Sequence, residues 1–256
     1  MPEHASFLTM VLGYMRETLD QNATNLGNTF IGNKPPSWHS FEPITAALLM
    51  VALVLFLALL VRRRLSNVAE AVIPEERLTL RTFFEVFLGF FYDVAKGVMG
   101  AERAKQYFPI IGTSAVFVFL SNVMAMIPGM PIATSSLNIT LGCALVVFVM
   151  FNIYGLMANG LGYLKHLAGP VWYMAIPVFC IEVISLCVRP VTLSVRLMLN
   201  MSVDHLILGI MMGLFAILIP IPVQFLGIII VVVQTLVFAL LTSIYIALAT
   251  EHDEEH

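Results

Sequence analysis

Apolar residues occur in long uninterrupted runs along the chain, and these runs predict where helices cross a membrane. A helix needs about 20 predominantly apolar residues to span the hydrocarbon. Runs of this length or longer lie at 43–61, 107–127, 138–160, 172–218 and 223–250. The first ends at Arg62 and the second at Pro128. The pattern predicts an all-α membrane protein with about five crossing helices, forming a single polytopic domain over 1–256.

Residues 77–105 follow a different pattern, in which Phe, Leu and Val recur at helical spacing among charged residues. An amphipathic helix of this kind lies along the membrane surface rather than crossing it. The segment 1–42, before the first crossing, adds little to the functional signal.

Composition and charge agree with this class and set the orientation. The chain is 59% hydrophobic and 11% charged, whereas soluble domains carry about 25% charged residues. Lys and Arg are concentrated between 62 and 106, which the positive-inside rule assigns to the cytoplasmic side. We therefore expect segment 1–42 outside, the C-terminus inside, and no nucleic-acid partner. The three cysteines lie in apolar runs, which favours buried side chains over a metal site.

The stretch 172–218 is too long for one ordinary crossing. As a continuous helix it would measure about 70 Å, against a hydrocarbon thickness of about 30 Å. The sequence leaves two alternatives: a break near Pro177 or Pro190, or a steep tilt.

Polar residues interrupt this long stretch within "RPVTLSVRLMLNMSVDH", residues 189–205. An arginine at mid-membrane costs at least about 2.5–3.5 kcal/mol, and such residues usually have a function. Glu182, Arg189 and Arg196 are spaced by seven and share one face of a helix. Ordinary roles also fit most of these polar residues. Arg189 and Tyr245 can be interface anchors, Glu182 can be the counter-ion of Arg189, and His205 can be a core residue. Asn200 and Gln234 can form helix–helix hydrogen bonds, and Asn122 alone is a weak signal. An ordinary role fits Arg196 least, because it lies too deep to reach the membrane interface easily.

Several segments together resemble subunit a of the F-type ATP synthase membrane sector. They are "RLMLNM" with an imidazole nine residues after its arginine, "VVQTLVF" downstream, "IEVISLCVRPVTLSVRL" upstream, and "FVFLSNVMAMIPGM", "LNITLG" and "LTSIYIALA". The resemblance covers about 75–256. It implies a non-catalytic subunit that conducts protons, needs no cofactor, and belongs to a bacterial inner membrane. The implied partners are the c-subunit ring, the b-subunit peripheral stalk and, indirectly, the F1 sector.

The resemblance also assigns roles to individual residues. Arg196 matches the essential arginine that faces the c-ring, and Glu182 matches the glutamate of the inner half-channel. The remaining matches are to polar residues of the proton path: Asn122, Asn200, His205 and Gln234. Asp204 does not match the family, and we add it to the proton path because it is the neighbour of His205. In this family the last two helices, here 172–250, form a steeply tilted hairpin along the ring, which favours the tilt over the break.

Four positions depart from many relatives. Ala125 replaces an acid and Gly142 replaces a serine. Many relatives have glycine at the position of Asp204 and an ionisable residue at the position of Gly227, and this chain has the reverse. If Arg196 faces Gln234, as the resemblance suggests, residue 204 lies opposite 226 and beside Gly227.

Two other classes of protein remain as alternatives. In a secondary transporter, Arg196 would bind an anionic substrate, but such transporters are commonly built from inverted repeats, and no repeat is detectable. An intramembrane enzyme is disfavoured because the chain contains neither GxSxG nor HExxH.

Overall fold

The computed structural model describes residues 42–64, 79–127, 136–160, 175–214 and 220–250, together with a few isolated positions. These residues form six long helices: α1 (Glu42–Arg64), α2 (Leu80–Met99), α3 (Ala101–Ala125), α4 (Leu137–Asn159), α5 (Ala175–Leu214) and α6 (Pro220–Thr250). All except α2 are long and apolar enough to cross a membrane. The predicted all-α class with five crossing helices is confirmed, while nearly all of segment 1–42 lies outside the described residues.

Helix α2 has definite ends. Thr79 caps its first turn by accepting a hydrogen bond from the N–H of Thr82 at 3.4 Å. Gly100 ends the helix with a φ of +82°, a conformation that side chains rarely permit. The next helix begins at once, at Ala101. Residues 101–105, which were predicted to continue the amphipathic segment, therefore belong to α3.

One side of α2 is apolar and packed against the rest of the protein. Phe91, Ala95 and Met99 recur every four residues and are buried, whereas Asp93 and Lys96 are exposed. The small side chain of Ala95 lets α2 approach its neighbours closely. This division into two faces agrees with an amphipathic helix; its position at the membrane surface stays a prediction.

The core lies among α2, α3, α4 and α6, with one member, Leu186, from α5. Its buried members are mostly small or aromatic, a composition that allows close helix contacts without a polar core. The largest cluster contains Phe91, Ala95, Met99, Ala104, Tyr107, Ile111, Ala115, Phe151, Leu186, Ala239, Ile246 and Ala249. Helix α1 is attached more lightly: Ala46 and Met50 are buried, and its other large side chains, such as Leu48 and Phe56, are mostly exposed.

Helix α5 is continuous over 40 residues and runs through Pro190. Of the two alternatives for the overlong stretch, the break at Pro190 is therefore wrong, and Pro177 falls in the first turn, where proline is tolerated. At 1.5 Å per residue the helix is about 60 Å long. Its length exceeds a bilayer, so the tilt stays as the prediction.

Helix α6 begins at Pro220. The "PIP" segment, Pro220 to Pro222, lies between the apolar runs 172–218 and 223–250 of the sequence, and it forms the first turn of α6. Proline favours this position, because the first N–H groups of a helix have no partner within it.

Candidate functional site

The two sides of α5 differ sharply around its midpoint. Leu193, Leu197 and Met201 are buried against the other helices. The opposite side is exposed, except for the half-buried Val195, and apart from Arg196 it is largely apolar. We call it the open face; it consists of Val188, Val191, Thr192, Val195, Arg196, Leu199 and Val203. Exposed apolar residues of α6 add to the same kind of surface: Phe225, Ile229, Val232 and Val233.

Arg196 lies on the open face in a shallow groove between Val195 and Leu199. Its side chain is exposed, and no ion pair or hydrogen bond to it is found among the described residues. A guanidinium carries five N–H donors and keeps its charge at any working pH. The open face therefore presents a fixed positive charge in apolar surroundings, and a group from outside the chain can reach it.

Asn200 and Gln234 connect the last two helices beside Arg196. The Asn200 side-chain amide donates to Oε1 of Gln234 at 2.6 Å. Gln234 is 4% exposed, and its Nε2 has no hydrogen-bond partner within the part of the chain that the structure describes. The expected pairing of Arg196 with Gln234 is thus replaced by a pairing one helical turn farther along α5. In this register the residue opposite Asp204 is 230 rather than 226.

A cavity of about 550 Å³ begins at this amide pair and extends away from Arg196. Most of its lining is apolar, from Leu, Ile, Val and Met side chains. Its polar members come from both helices: Asn200, Asp204, His205, Gln224 and Gln234. Asp204 and His205, which helical geometry alone puts on different sides of α5, therefore line one space.

Gly227 also lines the cavity, and it lies close to the end of α3. A Cβ at this position would be 3.1 Å from Cε of Met126. The side chain of Gln224 donates to the backbone carbonyl of Met126 at 2.7 Å. This bond fastens the end of α3 to the beginning of α6. Gln224 was not predicted, although a lone amide in an apolar run is the same signal that identified Gln234.

Asn122 is in a separate buried position on α3. It is 2% exposed, and its Oδ1 accepts a hydrogen bond from the hydroxyl of Thr134 at 3.2 Å. Asn122 does not line the cavity, but Met126, one turn later, does. The structure thus brings Asn200, Asp204, His205 and Gln234 together and leaves Asn122 outside this group.

A second polar cluster occupies the other end of the α5–α6 pair. Arg189 lies between Glu182, at 3.8 Å, and the ring of Tyr245, whose centroid is 5.3 Å from Cζ of Arg189. The role of Glu182 as a counter-ion of Arg189, one alternative from the sequence, therefore has a geometric basis. Arg196 separates this cluster from the cavity along α5.

The helices and their polar residues define a multi-pass, all-α membrane protein with one polar region on each side of an exposed arginine. The family profile described as ATP synthase A chain matches residues 44–247. The ATP synthase subunit a of Sorangium cellulosum (strain So ce56) is 56% identical over the full length of both chains. That of Sulfurihydrogenibium sp. (strain YO3AOP1) is 43% identical over 68% of this chain and 84% of its own. The chain belongs to the ATP synthase A chain family, which confirms the resemblance.

Proposed function

We propose that the protein is the proton-conducting subunit a of a rotary F-type ATP synthase, with its open face against the ring of c subunits. The observation that carries the proposal is the exposed Arg196, which has no ion-pair partner among the described residues and lies on a largely apolar face. Leaving a charged group in an apolar environment is costly unless it meets an opposite charge. A carboxylate on a ring subunit would supply that charge as it passes.

The cavity supports a path for protons from the outer side. Its polar members Asn200, Asp204, His205 and Gln234 can hold water, which needs two to four polar partners in a space of this size. A proton that crosses the cavity would neutralise the ring carboxylate beside Arg196. The neutral carboxyl can then turn through lipid, where the charged form would cost far more.

Glu182 supports release on the inner side. It lies 14 residues before Arg196, which is about 21 Å along a helix. After nearly a full turn of the ring, the carboxyl would give up its proton to an aqueous path beside Glu182. Arg196 cannot relay the proton, because a guanidinium does not deprotonate in proteins. It therefore blocks direct leakage between the two paths and favours the ionised carboxylate, so that rotation couples them.

The family places the protein in the ATP synthase complex, and we propose contacts with the c-ring and the peripheral stalk, with an indirect link to the soluble ATPase sector. The proposed location is a bacterial inner membrane.

The first prediction concerns Arg196. Arg196→Ala should abolish ATP-driven proton pumping in membrane vesicles while the complex still assembles, because the ring carboxylate loses its fixed counter-charge. Arg103→Ala removes an exposed arginine from the first turn of α3 and should pump normally. Vesicle acidification at the wild-type rate by Arg196→Ala would contradict the proposal.

The second prediction concerns orientation. In a chain whose own cysteines have been replaced, a cysteine at residue 10 should react with an impermeant maleimide from outside, and one at residue 253 only from inside. The reason is that five crossings leave the two ends on opposite sides. Labelling of both from one side would rule out five crossings.

The third prediction concerns Asp204 and Gly227, which line the same cavity. Asp204→Gly should slow ATP-driven pumping severely, since the cavity loses its carboxylate, and Gly227→His added to it should restore part of the rate. The only atom within 4 Å of a Cβ added at Gly227 is the flexible end of Met126, at 3.1 Å. Asp93→Gly, at an exposed position of α2, is the matched control. Full pumping by the Asp204→Gly single variant would remove Asp204 from the proton path.

A further inference from the structure

The inner half of α5 carries a second arginine that the proposed path does not use. Nη2 of Arg189 lies 3.8 Å from Oε1 of Glu182 on the same helix. Its Cζ lies 5.3 Å from the ring centroid of Tyr245 on α6. The Tyr245 ring is in turn 6.0 Å from that of Phe151 on α4. The guanidinium of Arg189 thus lies between the Glu182 carboxylate and the aromatic contact that Tyr245 of α6 makes with α4.

Arg189 and Arg196 differ in how their charges are compensated. They are seven residues apart on one side of α5, about 10 Å along its axis. Arg189 has a carboxylate and an aromatic ring beside it, and its side chain is only 21% exposed. Arg196 is exposed and has no such partner among the described residues. Glu182 therefore offsets the charge of Arg189 and leaves that of Arg196 unchanged.

The separation of Arg189 and Glu182 keeps the carboxylate accessible. A short charge-assisted hydrogen bond measures about 2.7–2.9 Å, and the observed 3.8 Å is longer. The side chain of Glu182 is 43% exposed. Arg189 can therefore orient Glu182 and offset its charge without enclosing its oxygens.

We infer that Arg189 is a positioning residue that holds Glu182 at the inner end of the α5–α6 pair, while Glu182 cancels the charge of Arg189. Arg196 then acts as the uncompensated cation toward the ring. The inference rests on the proposed function, because it requires a ring carboxylate that passes Arg196. An uncompensated Arg189 would offer that carboxylate a second cationic position about 10 Å inward, and proton release would slow.

Loss of Glu182 should therefore have two effects, which a second substitution separates. Glu182→Gln removes the carboxylate and also exposes the charge of Arg189. In the intact complex in vesicles, Glu182→Gln/Arg189→Gln should pump at least about threefold faster than Glu182→Gln alone, because contacting residues are energetically coupled. Glu182→Gln/Arg189→Lys keeps the cation and should stay as slow as Glu182→Gln.

The matched control is Glu182→Gln/Arg103→Gln, which removes an arginine away from the cluster and should give no rescue. A further comparison uses the single variants: Arg189→Lys should pump within about twofold of the wild type, since the cation remains, and Arg189→Gln should be slower. Each variant is compared at equal content of assembled complex.

Equal rates for Glu182→Gln and its Arg189→Gln double variant, or rescue by Arg103→Gln, would overturn the inference. So would an Arg189→Lys variant as slow as Arg189→Gln, a comparison that does not need the double variant to assemble. Arg196→Ala in the same assay separates the two levels. Normal pumping by Arg196→Ala overturns the proposed function itself. If Arg196→Ala does not pump, and Arg189→Gln also fails to speed up Glu182→Gln, only the pairing of Arg189 with Glu182 is overturned.

Discussion

The arrangement of the last two helices depends on one constraint, the cost of a permanent charge in an apolar surrounding. An arginine at the centre of a membrane helix costs at least about 2.5–3.5 kcal/mol, and Arg196 has no partner for its charge among the described residues. The protein surrounds it with exposed valine and leucine side chains rather than with carboxylates. We propose that the charge is kept for a partner from outside the chain.

The rest of the fold holds this face in position. Leu193 and Leu197 bury the back of α5, and the bond from Asn200 to Gln234 fixes α6 beside it. Gln224 fastens the beginning of α6 to the end of α3. Polar groups are placed on either side of Arg196 along the helix, and among the described residues none forms a hydrogen bond or ion pair with it. This separation is what two offset proton paths require, since a continuous polar path would let protons pass without rotation.

Much of this could be predicted from the sequence because each signal was strong. Long apolar runs identified the five crossing helices, and the seven-residue spacing of Glu182, Arg189 and Arg196 identified one side of α5. The register between α5 and α6 could not be predicted, because it depends on a turn and on side-chain packing. The end of α2 depended on a positive φ at Gly100, and glycine in a helical pattern does not reveal its backbone angle. Gln224 and Thr134 act through contacts with distant segments, which no local pattern shows.

The central claim is that Arg196 and its apolar neighbours face the c-ring. Its most direct measurement is cross-linking in membranes, with single cysteines in a chain whose own three cysteines have been replaced. A cysteine at 199, exposed beside Arg196, should form a disulfide with a cysteine next to the ring carboxylate. A cysteine at 197, which is 1% exposed on the opposite side, should not. Cross-linking at 197 but not at 199 would contradict the account.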